Sequence, residues 1–109
     1  MAPDSHPRPG MTASACERRI EAPESLGLET RNDFREKATG LLEAMPEGLG
    51  RLVVDLGGTT RVDSAGLGAL MLVQRHAMER RQVVALEHPS DEVRWLLVLT
   101  KLADLFEMR

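Results

Sequence analysis

Two short apolar runs on either side of a glycine loop and a helical pattern restrict this chain more than any other feature. Leu52-Val53-Val54-Asp55-Leu56 lies between Gly50 and Gly57-Gly58, and Gln82-Val83-Val84-Ala85-Leu86-Glu87 is a second short run with a similar β-branched content. Runs of this kind suit buried strands of a covered sheet. Between them Ser64 opens a helical stripe that places Leu67, Leu70, Met71, Gln74, Ala77 and Met78 on one face, with Arg75, Glu79 and Arg80 off it. A strand, a helical crossover over 57–81 and a second strand make a βαβ unit, which requires parallel strands and a right-handed connection. The fold class that follows is α/β.

The flanks extend the alternation. Phe34, Ala38, Leu41, Leu42 and Met45 form one stripe of a helix that starts near Asn32-Asp33 and ends at Met45-Pro46, because the residue before proline is pushed out of α geometry. Ser90-Asp91-Glu92 is an acidic helix start, favoured by the helix dipole, and leads into Trp95-Leu96-Leu97-Val98-Leu99. Trp95 to Leu99 read as core, as do Met45, Met71 and Met78, while Arg75, Arg80 and Arg81 read as a solvated helix end. Residues 17–28 are two short pieces around Pro23, each an edge strand at best. Residues 1–16, with Pro3, Pro7, Pro9 and Gly10, read as a flexible N-terminal tail ahead of one domain over 17–109.

Composition excludes several functions. Lys and Arg number 14 against 17 Asp and Glu, a net charge of −3, without a basic cluster and with 3% aromatics. Such a chain is poorly suited to binding nucleic acid directly. No apolar run is long enough to insert into a membrane, and Ala13-Ser14-Ala15 follows a polar stretch instead of a signal peptide's apolar region. Cys16 is the single cysteine, so neither an intrachain disulfide nor a cysteine metal cage is expected, and a cytoplasmic location is.

The chemistry-bearing stretch is Gly57-Gly58-Thr59-Thr60-Arg61-Val62-Asp63-Ser64-Ala65-Gly66-Leu67-Gly68. A hydroxyl at the first turn of a helix, after a strand and a glycine loop, has three readings. Ser64 can cap the helix. It can be a nucleophile, but Val62 replaces the first glycine of a nucleophile elbow, and His76 lies about 18 Å along the same helix; His88 remains as a base at the end of the next strand. It can also accept a phosphoryl group, which adds about −1.5 to −2 charge beside outward-pointing amides. Gly66-Leu67-Gly68 does not extend to a dinucleotide-binding motif, since position 71 is Met, and no Gly-Lys-Ser/Thr occurs.

Val53-Val54-Asp55-Leu56, the loop, Asp63-Ser64-Ala65-Gly66-Leu67-Gly68-Ala69-Leu70, the Val83–Leu86 strand and Leu99-Thr100-Lys101-Leu102 together resemble the STAS domain of sulphate-transporter tails and anti-sigma factor antagonists. The resemblance implies one small α/β domain, with a mixed but mostly parallel sheet and helices mainly on one face. In the antagonist branch, the serine matching Ser64 is phosphorylated by an anti-sigma factor that is itself a serine kinase, and a phosphatase reverses the step. The domain is then a non-enzymatic switch of sigma-factor-dependent transcription, without a cofactor of its own, since ATP is bound by the partner. Gly57, Gly58, Thr59, Thr60, Asp63, Ser64, Ala65, Gly66 and Leu67 would face that partner, and burial of Leu67 would supply affinity. The alternative within the family is a constitutive subunit of an ABC-type lipid or anion transporter. Ser25-Leu26-Gly27-Leu28-Glu29 is the nearest substitute for the family's Gly-x-Leu/Ile-Asp turn and lacks its aspartate. A shortened front would leave a sheet edge open to homodimer formation.

Overall fold

The computed structural model describes residues 16–109; residues 1–15 of the expected tail lie outside the described residues. Both pieces around Pro23 become strands, β1 (Glu17–Glu21) and β2 (Ser25–Leu26). They are followed by α1 (Arg31–Glu43), β3 (Arg51–Asp55), β4 (Arg61–Val62), α2 (Ser64–Glu79), β5 (Val83–Glu87) and α3 (Asp91–Leu99). A short 3₁₀ turn (Ala103–Leu105) leads into β6 (Glu107–Met108). The main sheet has the order β1-β3-β5-β6, and β2 pairs with β4 in a separate ladder. Every pairing among the described residues is parallel, with Val53 opposite Arg19 on one side and Ala85 on the other.

Alternation along the strands gives the sheet two unlike faces. Leu52, Val54, Val84 and Leu86 point toward Phe34, Ala38 and Leu42 of α1, Leu70, Val73 and Ala77 of α2, and Val93 and Leu97 of α3, all in one core. The helices therefore cover one face. On the other, Val53 and Ala85 are fully buried without being part of that core. Parallel strands normally need cover on both faces. Here the flanking positions of the helix-free face carry a charge lattice: Arg19 bonds Glu87 at 2.6 Å, Arg51 bonds Glu107 at 2.9 Å, and Arg109 reaches Glu87 at 3.2 Å. The Arg19 guanidinium, with Arg109 behind it, holds the Glu87 carboxyl below its ordinary range.

Two readings of the helices need correction. The buried stripe of α2 is Gly66, Ala69, Leu70, Val73 and Ala77, whereas Met71 is 45% exposed and Met78 is 62% exposed. Small side chains let α2 sit close to its neighbours, and the bulky methionines are turned outward. In α3 only Val93 and Leu97 are buried; Trp95, Val98 and Leu99 are exposed, because this short helix meets the core along one edge. Arg80 is not simply solvated either, since its Nη2 donates to the Met45 carbonyl at 2.9 Å.

Helices α2 and α3 end with the same device. The Gln82 amide donates to the Ala77 carbonyl and the Arg81 amide to Met78; likewise, the Leu102 amide donates to Leu97 and the Lys101 amide to Val98. These paired bonds need a left-handed residue, and Arg81 (φ 56°) and Lys101 (φ 63°) adopt it.

Candidate functional site

The site is built where the β2–β4 ladder meets the start of α2. Asp63, the residue after β4, is the helix cap: its Oδ1 accepts the Gly66 amide at 2.9 Å and its Oδ2 accepts the Leu28 amide at 3.4 Å. The capping role considered for Ser64 thus belongs to Asp63. Gly66 accepts no side chain, since a Cβ there would lie 2.0 Å from the Leu26 carbonyl oxygen. Gly27 is confined by a side chain instead, because its Cβ would fall 2.4 Å from Asp63 Oδ2 and press on the capping carboxylate. The segment Ser25–Glu29, read as the substitute for the family's turn, does lie against Asp63.

The Gly66 N–H holds the Asp63 carboxyl below the ordinary aspartate range, with the Leu28 and Ala65 amides and the Arg31 charge adding to it and desolvation opposing it. A depressed folded pKa contributes stability that is complete above the unfolded value of about 3.9 and fades as pH falls through the folded one. Asp63→Asn keeps a capping oxygen without a titrating proton. Its urea-unfolding stability should therefore fall less steeply than that of the parent below about pH 4. Identical slopes would deny the carboxylate this role.

Ser64 is the first residue of α2 and is exposed, and its hydroxyl makes no hydrogen bond among the described residues. Both histidines of the described residues stand beside carboxylates elsewhere: His76 is 3.1 Å from Glu43, and His88 is 3.6 Å from Asp55. The structure does not support the nucleophile reading.

The residues expected to face a partner divide into three groups. Gly57, Gly58, Thr60, Asp63 and Ser64 are exposed, and Ala65 and Leu67 are half-buried, with Leu67 packed against the core. Thr59 and Gly66 are buried, and this corrects their placement on the contact surface. Thr59 is 2% exposed and donates from Oγ1 to the Pro23 carbonyl at 2.9 Å. The Thr60 amide donates to the Glu24 carbonyl at 2.8 Å, so this side of the loop is fastened to the connection after β1.

Sequence reasoning missed the surface beside Ser64. An open cleft of about 520 Å³ runs between the first turns of α1 and the outer face of α2, lined by Arg31, Arg35, Ser64, Met71, Leu72 and Arg75. The available signal was the one-turn spacing of Arg31 and Arg35 and the series Ser64, Gly68, Met71 and Arg75 along one side of α2.

Residues 12–107 match the family model described as Mlab, STAS domain. A STAS-domain containing protein of Pseudomonas aeruginosa is 38% identical over 58 residues, which are 53% of this chain. The match spans only 57% of that curated relative's length. Among solved structures, an anti-sigma-factor antagonist (STAS) domain protein of Planctomyces limnophilus gives a TM-score of 0.72 at 16% identity, covering 83% of this chain and 79% of that one. The anti-sigma factor antagonist SpoIIAA in its unphosphorylated form gives 0.64 at 16% identity, over 86% and 79% of the two chains. A sulfate transporter family protein of Wolinella succinogenes gives 0.65 at 16% identity, over 81% and 69%. These likenesses establish the fold.

Proposed function

Because this chain belongs to the STAS-domain family, we propose that it is a phosphorylation-switched anti-sigma factor antagonist that works in the cytoplasm. The unmodified domain docks on an anti-sigma factor that is a serine kinase, through the exposed residues around Ser64. The γ-phosphoryl group of partner-bound ATP passes to Ser64 Oγ, ADP leaves, and the hydroxyl proton is taken by a base of the partner. The modified domain separates, and a phosphatase hydrolyses the ester to restore it. The observation that supports this reading is the exposed, unengaged Ser64 hydroxyl on the first turn of α2, with its aspartate neighbour already committed to capping. A phosphate there stays in water and disturbs no core contact, yet places about −1.5 to −2 charge at the centre of the docking face.

Incubation with ATP and a candidate kinase should add the mass of one phosphate to the intact chain, and Ser64→Ala should abolish the gain. Ser64→Ala should bind the kinase without release, whereas Ser64→Asp should bind more than about tenfold more weakly, or 1.4 kcal/mol. Equal binding by the two variants removes the switch.

A second reading is a permanent STAS subunit on the ATPase of an ABC-type lipid or anion transporter. Exposed Met71 and Leu72 beside Ser64 favour it, since apolar side chains of this size suit a contact that never opens. In that case the chain co-purifies with a permease and its ATPase, and the Ser64 variants change phosphate content nowhere.

A further inference from the structure

Resting on the reading of Ser64 as the partner-facing residue, we propose that the cleft between α1 and α2 receives an acidic amphipathic segment of the partner protein, with carboxylates at Arg31, Arg35 and Arg75 and an apolar anchor on Met71 and Leu72. Three guanidinium groups line this one cleft of a chain whose net charge is −3. None of the three is ion-paired among the described residues, whereas Arg19, Arg51 and Arg109 on the helix-free face all are. The Arg31 charge also acts on Asp63, but no salt bridge among the described residues holds any of the three, and cations so placed in an acidic protein are complementary to an anionic ligand.

The floor between them decides which anion. Ala65, Gly68, Ala69, Met71 and Leu72 present an apolar surface, with Met71 at 45% and Leu72 at 42% exposure. A nucleic acid would find no aromatic platform there, and an extended duplex or an acidic bilayer would press its phosphates on the surrounding net-negative surface as well as on the cleft, whereas a short segment meets the cleft alone. A peptide helix with glutamates one turn apart and a leucine between them satisfies charge and floor together. Ser64 lines the same cleft. A phosphate on it would compete for the arginines and repel the incoming carboxylates, which gives phosphorylation its sign: it expels an acidic partner.

The test uses the full chain and a synthetic helical peptide carrying glutamates at i and i+4 with leucine at i+3, beside a lysine counterpart of the same pattern. Titration followed by amide NMR should shift residues 31–35 and 64–75 with the glutamate peptide and leave them unmoved with the lysine peptide. Affinity should fall at least about fivefold on raising salt from about 50 mM to about 500 mM. Arg75→Glu and, as a milder change, Arg35→Gln should weaken binding at least about tenfold while thermal melts confirm an intact fold. Shifts elsewhere, equal binding of the lysine peptide, or stronger binding of a DNA duplex or of phosphatidylglycerol vesicles would overturn the cleft. Failure of the switch has a different signature: the glutamate peptide would bind Ser64→Asp as well as the parent and still lose affinity on Arg75→Glu, which sustains the cleft and removes the regulation.

Discussion

Gly66→Ala is expected to destabilise the domain by about 3 kcal/mol, and with it the midpoint of thermal unfolding falls by roughly 15 °C. Helix propensity alone predicts the opposite, since alanine in a helix is better than glycine by about 1 kcal/mol. The sign reverses because the new Cβ would stand 2.0 Å from the Leu26 carbonyl oxygen and 2.7 Å from its carbon, which are backbone atoms with no rotamer to yield. That carbonyl already accepts the Asp63 amide at 3.2 Å. Displacing it breaks the β2–β4 ladder and the helix cap in one movement. Gly68, two residues along the same helix, has nothing within 4 Å of the place a Cβ would take. Gly68→Ala should therefore stabilise by up to about 1 kcal/mol. Chemical denaturation of the two variants side by side separates close packing from propensity, and destabilisation by both or by neither would refute the contact with Leu26.

The same contrast shows what was legible beforehand. The βαβ order, the parallel strands and the stripe of α1 could be read because side-chain period and run length depend on local sequence. Phe34, Ala38, Leu42 and Met45 are buried as that stripe requires. The face of α2 could be read only in part: Leu70 and Ala77 lie on it as expected, whereas Gly66 and Ala69 are small against backbone that is distant in sequence, and hydrophobic periodicity gives more weight to Met71 and Met78. The site was visible as a motif, and its cap was not. Both Asp63 and Ser64 are good capping residues, and only the positions of the Gly66 and Leu28 amides decide between them. The arginine cleft was hidden for a related reason: Arg31 and Arg35 belong to a helix whose placement against Ser64 is a tertiary fact. The ion pairs beneath the sheet depend in turn on strand register, which aligns Arg19 with Val53 only once β1 lies parallel to β3.

Gln82→Glu should lower stability at neutral pH by about 3 kcal/mol although it changes one atom's chemistry and almost no volume. Gln82 is 5% exposed just before β5, and its Nε2 donates to the carbonyls of Leu42 at 3.0 Å, Pro46 at 3.1 Å and Met45 at 3.3 Å. It thus ties the open end of α1 to the sheet, where helix carbonyls lack intrahelical donors. Its Oε1 accepts from Arg80 Nε at 3.1 Å, and Gly50 leaves the room, since a Cβ there would be 2.6 Å from Nε2. A carboxylate keeps the bond to Arg80 and turns its second oxygen toward three other oxygens, in a buried place. Only the protonated acid can donate there, so the folded-state pKa of the introduced carboxyl must be raised above its unfolded value. The sign follows from linkage: the deficit is full above the raised folded pKa and shrinks as pH falls through it toward the unfolded value. Gln82→Met also loses the donor but cannot titrate, so its deficit, about 2 kcal/mol, should not recover on acidification. Urea denaturation of both variants between neutral pH and about pH 4.5 reads the difference directly. A Gln82→Glu deficit that fails to shrink relative to Gln82→Met would mean that the amide is not the donor that anchors α1.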